Sequence, residues 1–163
     1  MISAKQQVIK VGIGDVKIAA APDKIKTAGL GSCVAVVLYH PYQKSAGLLH
    51  IMLPDSSLSR SPNYNPGKFA DTGIIELIRL LGHPPARLRA KIAGGSQMFQ
   101  YESTEDTMRI GPRNIEAVRK QLELYQIPIT GEDVGGSSGR TIEFDPSTCE
   151  LHIRNMKLGN CII

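Results

Sequence analysis

The sequence contains no tryptophan and few other aromatic residues, with five tyrosines and three phenylalanines among 163 residues. Proteins that bind single-stranded nucleic acid stack bases on aromatic side chains, so this scarcity argues against such a platform. The net charge is only +4, and lysine and arginine are scattered rather than clustered. Nucleic-acid binding is therefore not favoured, whereas a mildly basic surface suits an acidic protein partner.

Cysteines are also few, and long apolar runs are missing. Cys33, Cys149 and Cys161 lie far apart, without a C-x-x-C pair or a histidine at zinc-ligand spacing. No apolar stretch reaches the length of a membrane span, and the N-terminus is polar, unlike a signal peptide. We therefore expect a cytoplasmic protein with reduced thiols, no metal site and no membrane insertion.

The composition and apolar spacing predict one α/β domain over residues 1–163. The chain is 42% hydrophobic and 21% charged, which is ordinary for a soluble domain of this length. Helical spacing runs from Lys68 to Leu81 and from Pro112 to about Gln126. Strand patterns include Val8 to Ile18, with a bend at its glycines, and a hairpin over 140–154. This order predicts a layered sandwich with a mixed, largely antiparallel sheet and two main helices.

A cysteine and a histidine stand on two neighbouring strand-like runs. Cys33 follows the turn Gly29-Leu30-Gly31-Ser32, and His50 lies in the apolar run from Gly47 to Leu53. The polar stretch from His40 to Ser45 predicts a hairpin between the runs. Positions 33 and 50 average to 41.5, inside that turn, so the side chains are in reach even if the register slips by about two residues. A thiol beside an imidazole is the minimum for nucleophilic catalysis.

Each of these residues also has an ordinary structural explanation. A single cysteine in an apolar run is most often a small buried side chain, and a strand histidine is most often a satisfied core residue. Gly94-Gly95 and Gly135-Gly136 lack the rest of any phosphate-binding signature, and tight turns account for them. The residues alone therefore leave a catalytic site and an inert core equally open.

The sequence offers more than one partner for the histidine. The hydroxyl of Thr27 would accept a hydrogen bond from an imidazole and fix its tautomer, but spacing alone favours a solvent-facing strand residue. Among the carboxylates Asp55, Asp71, Glu132 and Asp133, Asp55 is nearest to His50 in sequence. Asp55 lies five residues after His50. On a continuous strand this odd spacing would place its side chain on the opposite face of the sheet.

Six ordered motifs extend this pattern over nearly the whole chain. They are Thr27-x-Gly29-Leu30-Gly31-Ser32-Cys33-Val34, Leu49 to Ser56, Lys68 to Thr72, Lys91 to Phe99, Ile110 to Asn114, and Glu132 to Gly136 followed by Gly139-Arg140. Their succession resembles the CheD family, the chemoreceptor glutamine deamidases of bacterial and archaeal chemotaxis.

The resemblance implies a fold, a site and partners. The fold would be an α/β sandwich similar to the catalytic domain of cytotoxic necrotizing factors. The site would be a Cys-His-Thr triad with Cys33 as nucleophile, His50 as base and Thr27 as orienting residue. It would convert glutamine side chains of chemotaxis receptor cytoplasmic domains to glutamate through a thioester, without a cofactor. The CheC phosphatase would bind over the active site.

Two short segments are assigned to an oxyanion site or a partner surface. Gly31 and Ser32 lie beside the nucleophile, where backbone N–H groups would stabilise an oxyanion. Gly94, Gly95 and Phe99 belong to the segment that we associate with the phosphatase surface.

Two other functions are compatible with the same residues. A non-catalytic regulatory module would use the glycine loops and Phe99 for docking, with Cys33 incidental. A receptor glutamyl methylesterase would use the same cysteine on a different substrate. Thiol reactivity separates the first of these from an enzyme, because a catalytic Cys33 is expected to have a lowered pKa and to alkylate fast.

Overall fold

A computed structural model describes residues 5–98 and 109–163. In these residues the chain forms ten strands and two α-helices, joined by turns that include three short 3-10 helices. The strands are β1 (Val8–Lys10), β2 (Val16–Ala20), β3 (Lys24–Leu30), β4 (Val34–His40), β5 (Ser45–Ile51), β6 (Arg89–Gly94), β7 (Ile129–Val134), β8 (Arg140–Asp145), β9 (Glu150–Asn155) and β10 (Gly159–Ile162). The helices are α1 (Ala70–Leu81) and α2 (Ile110–Leu124), and the 3-10 helices are Ser56–Leu58, Pro66–Lys68 and Pro85–Arg87.

The strands form two five-stranded sheets. The outer sheet has the order β1-β3-β8-β9-β10, and the central sheet has the order β2-β5-β4-β6-β7. Neighbouring strands are antiparallel except for the pairs β1 with β3 and β6 with β7. The predicted α/β sandwich of mainly antiparallel strands is confirmed, with two sheets where the sequence indicated one. Its likeness to the catalytic domain of cytotoxic necrotizing factors stays a prediction.

The central sheet is covered on both faces, by the outer sheet and by the two helices. Strand β4 is buried at every position, as expected for a strand without a solvent face. Val34 and Val36 pack towards the helices, whereas Ala35 and Val37 pack towards the outer sheet. Because side chains alternate along a strand, the residue that precedes β4 also faces the outer sheet.

Both predicted helices are confirmed to within two residues at each end. Helix α1 buries Ile74 and Leu77 and ends at Gly82, whose φ of 70° is the left-handed conformation typical of a helix C-terminus. Helix α2 buries Val118 and Leu122 against the same sheet face. Neither helix has the length and apolar character needed to span a bilayer, in the part of the chain that the structure describes.

The single strand predicted from Val8 to Ile18 is wrong. A turn around Gly14, with φ of 79°, separates β1 from β2. The turn is closed by the N–H of Gly12, which donates to Asp15 Oδ2 at 3.2 Å. The two strands join different sheets. What the sequence indicated as a bend is therefore a crossing between layers.

Candidate active site

The β4–β5 hairpin brings Cys33 and His50 to one face of the central sheet. The strands pair with Ala35 opposite His50 and Val34 opposite Ile51. Cys33 stands two residues before Ala35, so it lies diagonally across from His50, on the face that packs against the outer sheet. The hairpin is confirmed, and its register differs from symmetric pairing by the two residues that the sequence allowed.

Thr27 reaches the histidine from the outer sheet. Its side chain is buried on β3, and Oγ1 lies 2.6 Å from the carbonyl oxygen of Val11 and 2.7 Å from Nδ1 of His50. Since the hydroxyl donates its one proton to Val11, its oxygen accepts from the Nδ1–H of His50. A solvent-facing Thr27 is therefore wrong, and the lone pair of the imidazole is on Nε2.

The imidazole of His50 is fully buried. Burial lowers the pKa of His50 to about 4, against the opposing effect of the Asp15 carboxylate, which raises it. Within the described residues Nε2 has no hydrogen-bond partner. A neutral imidazole with a free Nε2 is therefore in the state needed to accept a proton at neutral pH.

The thiol of Cys33 is half-buried on the sheet face that it shares with His50. Burial raises the pKa of the Cys33 thiol, and contact with its own backbone N–H acts in the opposite direction without cancelling that effect. The direction is opposite to the lowered pKa that we expected of a catalytic cysteine. The resting pair is thus a neutral thiol and a neutral imidazole, and a thiolate has to form by proton transfer during a reaction.

The end of β6 holds the backbone around Cys33. The carbonyls of Gly31 and Cys33 accept hydrogen bonds from the N–H groups of Ser96 and Gly95, each at 2.8 Å. Gly94 has φ of 110°, and a side chain at this position would overlap the carbonyl oxygen of Cys33. The close approach of the two segments therefore requires glycine here.

Backbone N–H groups beside the thiol differ in whether they are available to a substrate. The N–H of Gly31 donates to Gly29 at 3.1 Å, and the N–H of Gly95 donates to Cys33. These bonds do not support an oxyanion role for either glycine. The N–H groups of Ser32 and Cys33 meet no acceptor from another residue within the described segments. They are the donors that a developing oxyanion would find next to the sulfur.

The remaining predicted surface residue, Phe99, lies outside the described residues. Its neighbour Met98 is half-exposed, and the Met98 sulfur lies 3.6 Å from the position that a Cβ on Gly31 would occupy. An apolar side chain therefore lies over the turn that leads to Cys33.

Each of the four carboxylates considered for the histidine is engaged elsewhere. Asp55 accepts from Ser57, Asp71 from Ser56, Asp133 from Arg140 and Glu132 from Arg119. The described residues also contain no group of three or more histidine, cysteine and carboxylate side chains placed to bind a metal ion.

Two residues beside the site were given no role from the sequence. The backbone carbonyl of Asp15 accepts the N–H of His50 at 3.3 Å, and this bond continues the β2–β5 pairing beyond Val16, which no local pattern in the sequence indicates. Asn114 is fully buried on α2 and donates to the carbonyl of Ser32. The sequence could have indicated this position, because an asparagine four residues before the apolar Val118 lies on the apolar face of the helix.

Comparison with known proteins gives close relatives over the full chain. A family model described as CheD chemotactic sensory transduction matches residues 52–155. The chain is 55% identical over 162 residues to the chemoreceptor glutamine deamidase CheD of Bacillus subtilis (strain 168), covering 98% of each chain. It is 52% identical over 166 residues to the protein of that name from Bacillus velezensis, covering 100% of each. A crystal structure of a Neisseria meningitidis protein of family-model DUF152 aligns with a TM-score of 0.47 at 10% identity, covering 80% of this chain and 62% of that one.

Proposed function

The chain belongs to the CheD family, and we propose that it deamidates glutamine side chains of chemotaxis receptors with Cys33 as the nucleophile. The observation that carries the proposal is the hydrogen bond of 2.7 Å between Thr27 and Nδ1 of His50. It leaves Nε2 as the proton acceptor, on the sheet face that Cys33 shares. The names of the relatives support receptor glutamine as the substrate.

The proposed reaction passes through a thioester on Cys33. His50 Nε2 takes the thiol proton while the sulfur attacks the carboxamide carbon of the glutamine. The C–N bond then breaks, and protonated His50 gives its proton to the leaving ammonia. Water, deprotonated by His50, attacks the thioester carbon. The C–S bond breaks, the sulfur recovers its proton, and a glutamate side chain leaves. These steps require no cofactor.

The developing oxyanion is proposed to bind the backbone N–H groups of Ser32 and Cys33. Loss of one donor of this kind removes about 2.7–4 kcal/mol of transition-state stabilisation in comparable sites. Because both groups belong to the backbone, side-chain substitution does not remove them. Their direction is instead set by the contacts that hold the turn.

The first test is ammonia release from a purified receptor cytoplasmic fragment, with the Cys33→Ala variant as the matched control. We expect release, and the accompanying conversion of glutamine to glutamate, with the wild type only. Undiminished release by a folded Cys33→Ala variant would contradict the proposal. No release by either protein, with an intact thiol, would favour the non-catalytic regulatory module. Release of methanol from a methylated fragment alone would favour the methylesterase.

Thr27 provides a second test, because two substitutions separate its hydroxyl from its shape. Thr27→Val removes the acceptor for Nδ1–H and the donor to Val11, so the other tautomer of His50 becomes accessible. We expect a fall in the deamidation rate of at least ~100-fold, comparable to loss of a positioned base. Thr27→Ser retains the hydroxyl and should recover most of the rate. Equal rates for the two variants would exclude an orienting role.

We also propose a CheC-type phosphatase as a partner that covers the approach to Cys33. The proposal rests on the family resemblance, and the half-exposed Met98 over Gly31 offers an apolar contact at that place. Receptor cytoplasmic domains and such a phosphatase imply a cytoplasmic location for the chain.

A further inference from the structure

The amide of Asn114 connects the two strands that carry the proposed nucleophile and base. One hydrogen bond of Nδ2 goes to the carbonyl of Ser32 and the other to the carbonyl of Met52, both at 2.9 Å. Ser32 immediately precedes Cys33, and Met52 stands two residues after His50. A single buried side chain on α2 thus holds both segments from the helix side.

The bond to Ser32 determines where the N–H of Cys33 points. Ser32 and Cys33 share one trans peptide unit, in which the carbonyl and the N–H point in opposite directions. Since the carbonyl faces Asn114, the N–H of Cys33 faces away from α2.

We propose that Asn114 is a positioning residue that aims the backbone N–H of Cys33 at the oxygen of the reacting carbonyl group. It acts through the Ser32–Cys33 peptide and does not touch the substrate. Its second bond, to Met52, holds the segment after β5 beside that peptide, while the β4–β5 ladder itself keeps His50 in register. The inference rests on the proposed function, because it assigns Cys33 the role of nucleophile.

The surroundings of Asn114 show what its amide contributes. Its Oδ1 is buried without a hydrogen-bond partner in the described chain. An unpaired buried acceptor costs stability, and the neighbouring buried positions Ile115 and Val118 are apolar. A leucine of similar size would avoid that cost but would leave the carbonyls of Ser32 and Met52 without this donor. The amide therefore fixes the orientation of two backbone segments that an apolar side chain would release.

The test compares two reactions of Cys33 that differ in their need for an oxyanion donor. Acylation by p-nitrophenyl acetate forms a tetrahedral oxyanion, and p-nitrophenolate leaves as the sulfur gains the acetyl group. Alkylation by iodoacetamide displaces iodide directly and forms no oxyanion. The variants are Asn114→Ala and Asn114→Asp, the second of which keeps the shape and loses the donors. The matched control is Val118→Ala, a cavity one turn further along α2.

We expect acylation to fall at least ~10-fold in both Asn114 variants, less than the roughly 100-fold loss that follows removal of an oxyanion donor, because the N–H is misdirected and not removed. Alkylation should change less than about twofold, because it does not use that donor. The control should show no such difference between the two reactions. Equal losses in both reactions, or the same difference in Val118→Ala, would overturn the proposal. So would failure of both Asn114 variants to fold, which would assign the residue to stability alone.

The assay also separates this inference from the proposed function, because neither reagent contains a receptor. A wild type that is acylated but releases no ammonia from a receptor fragment, with the expected effect in the variants, would remove the deamidase proposal and keep the role of Asn114. Receptor deamidation that is unaffected by Asn114→Ala would keep the deamidase proposal and remove the role of Asn114.

Discussion

His50 is a buried neutral imidazole, and its protonation is therefore linked to the stability of the fold. Burial holds the folded pKa at about 4, below the ordinary value of 6.5. Between these values the unfolded chain binds a proton that the folded chain does not bind. The stabilising contribution is complete above pH 6.5 and is lost progressively as the pH falls towards 4.

We predict that acid destabilises the wild type through this residue. The free energy of unfolding should fall by up to about 3 kcal/mol between the two ends of that pH window. Urea unfolding of the wild type and of His50→Gln at each end measures the effect. The variant has no titrating group at this position, so its loss of stability should be smaller. Equal losses for both proteins would show that His50 is not the linked group.

Local geometry explains which site residues could be predicted from the sequence. Cys33 and His50 belong to one hairpin, so a turn and two apolar runs were sufficient to place them on one sheet face. The contact of Thr27 with His50 joins two sheets, and no spacing along the chain encodes it. The raised pKa of Cys33 depends on burial by that second sheet and was predicted in the wrong direction.

At the scale of elements, the end of β6 acts as the support for the turn before Cys33. Gly95 has φ of 72°, and a Cβ there would overlap the side chain of Ile115 on α2. Gly82, after α1, has nearly the same φ of 70°, but a Cβ there would meet nothing within 4 Å. Alanine substitutions at the two glycines therefore separate the cost of a positive φ from the cost of steric overlap.

We predict that Gly95→Ala destabilises the protein more than Gly82→Ala. Both substitutions carry a similar cost for a positive φ, but only the first forces α2 or β6 to shift. The expected difference in the free energy of unfolding is about 1–3 kcal/mol, the usual cost of overpacking. Chemical denaturation of both variants measures it. A shifted Gly95 also weakens its bond to the carbonyl of Cys33, so a fully active Gly95→Ala variant would indicate that this support is dispensable.

The elements differ in how clearly the sequence indicates them. The helices carry apolar stripes, and the limit of α1 is marked by Gly82. The crossing between β1 and β2 looked like one bent strand, because a glycine turn is also typical of a bulge. Strand β10 is exposed at all four positions, so it has no alternating burial for a pattern to detect.

At the scale of the whole molecule, Arg140 connects the two sheets beside the site. It extends from β8 of the outer sheet, and its Nη1 donates to Ser96 Oγ at 2.9 Å. Its Nε donates to Asp133 Oδ2 on β7 of the central sheet at 3.1 Å. Only 4% of the Arg140 side chain is exposed, compared with 30% for Asp133. Among the residues that the structure describes, this buried cation is thus paired with one carboxylate of the opposite layer.

We predict that Asp133→Ala destabilises the protein by about 2–3 kcal/mol, because it leaves the charge of Arg140 buried without its partner. The neighbouring Glu132→Ala is the control. It breaks a pair with Arg119 whose side chains are 47% and 42% exposed, so its effect should stay within about 1 kcal/mol. Thermal or urea unfolding of both variants tests the difference. Similar values would indicate that water or another group compensates Arg140.

The layered class could be predicted from the order of strand and helix patterns, but the division into two sheets could not. Pairing of β3 with β8 joins residues more than a hundred positions apart, and the sequence pattern of each strand is compatible with either sheet. That residues 1–163 form one domain also stays a prediction.

The neutral state of Cys33 has a chemical consequence for the cell. Hydrogen peroxide and electrophilic metabolites react with thiolates far faster than with thiols, and peroxide converts them to sulfenic acid. A cysteine whose pKa is raised by burial stays protonated until a base removes its proton. In its proposed role as nucleophile, Cys33 would thus be spared oxidative damage between turnovers, and the deamidase activity proposed here should persist under peroxide concentrations that inactivate enzymes with a preformed thiolate.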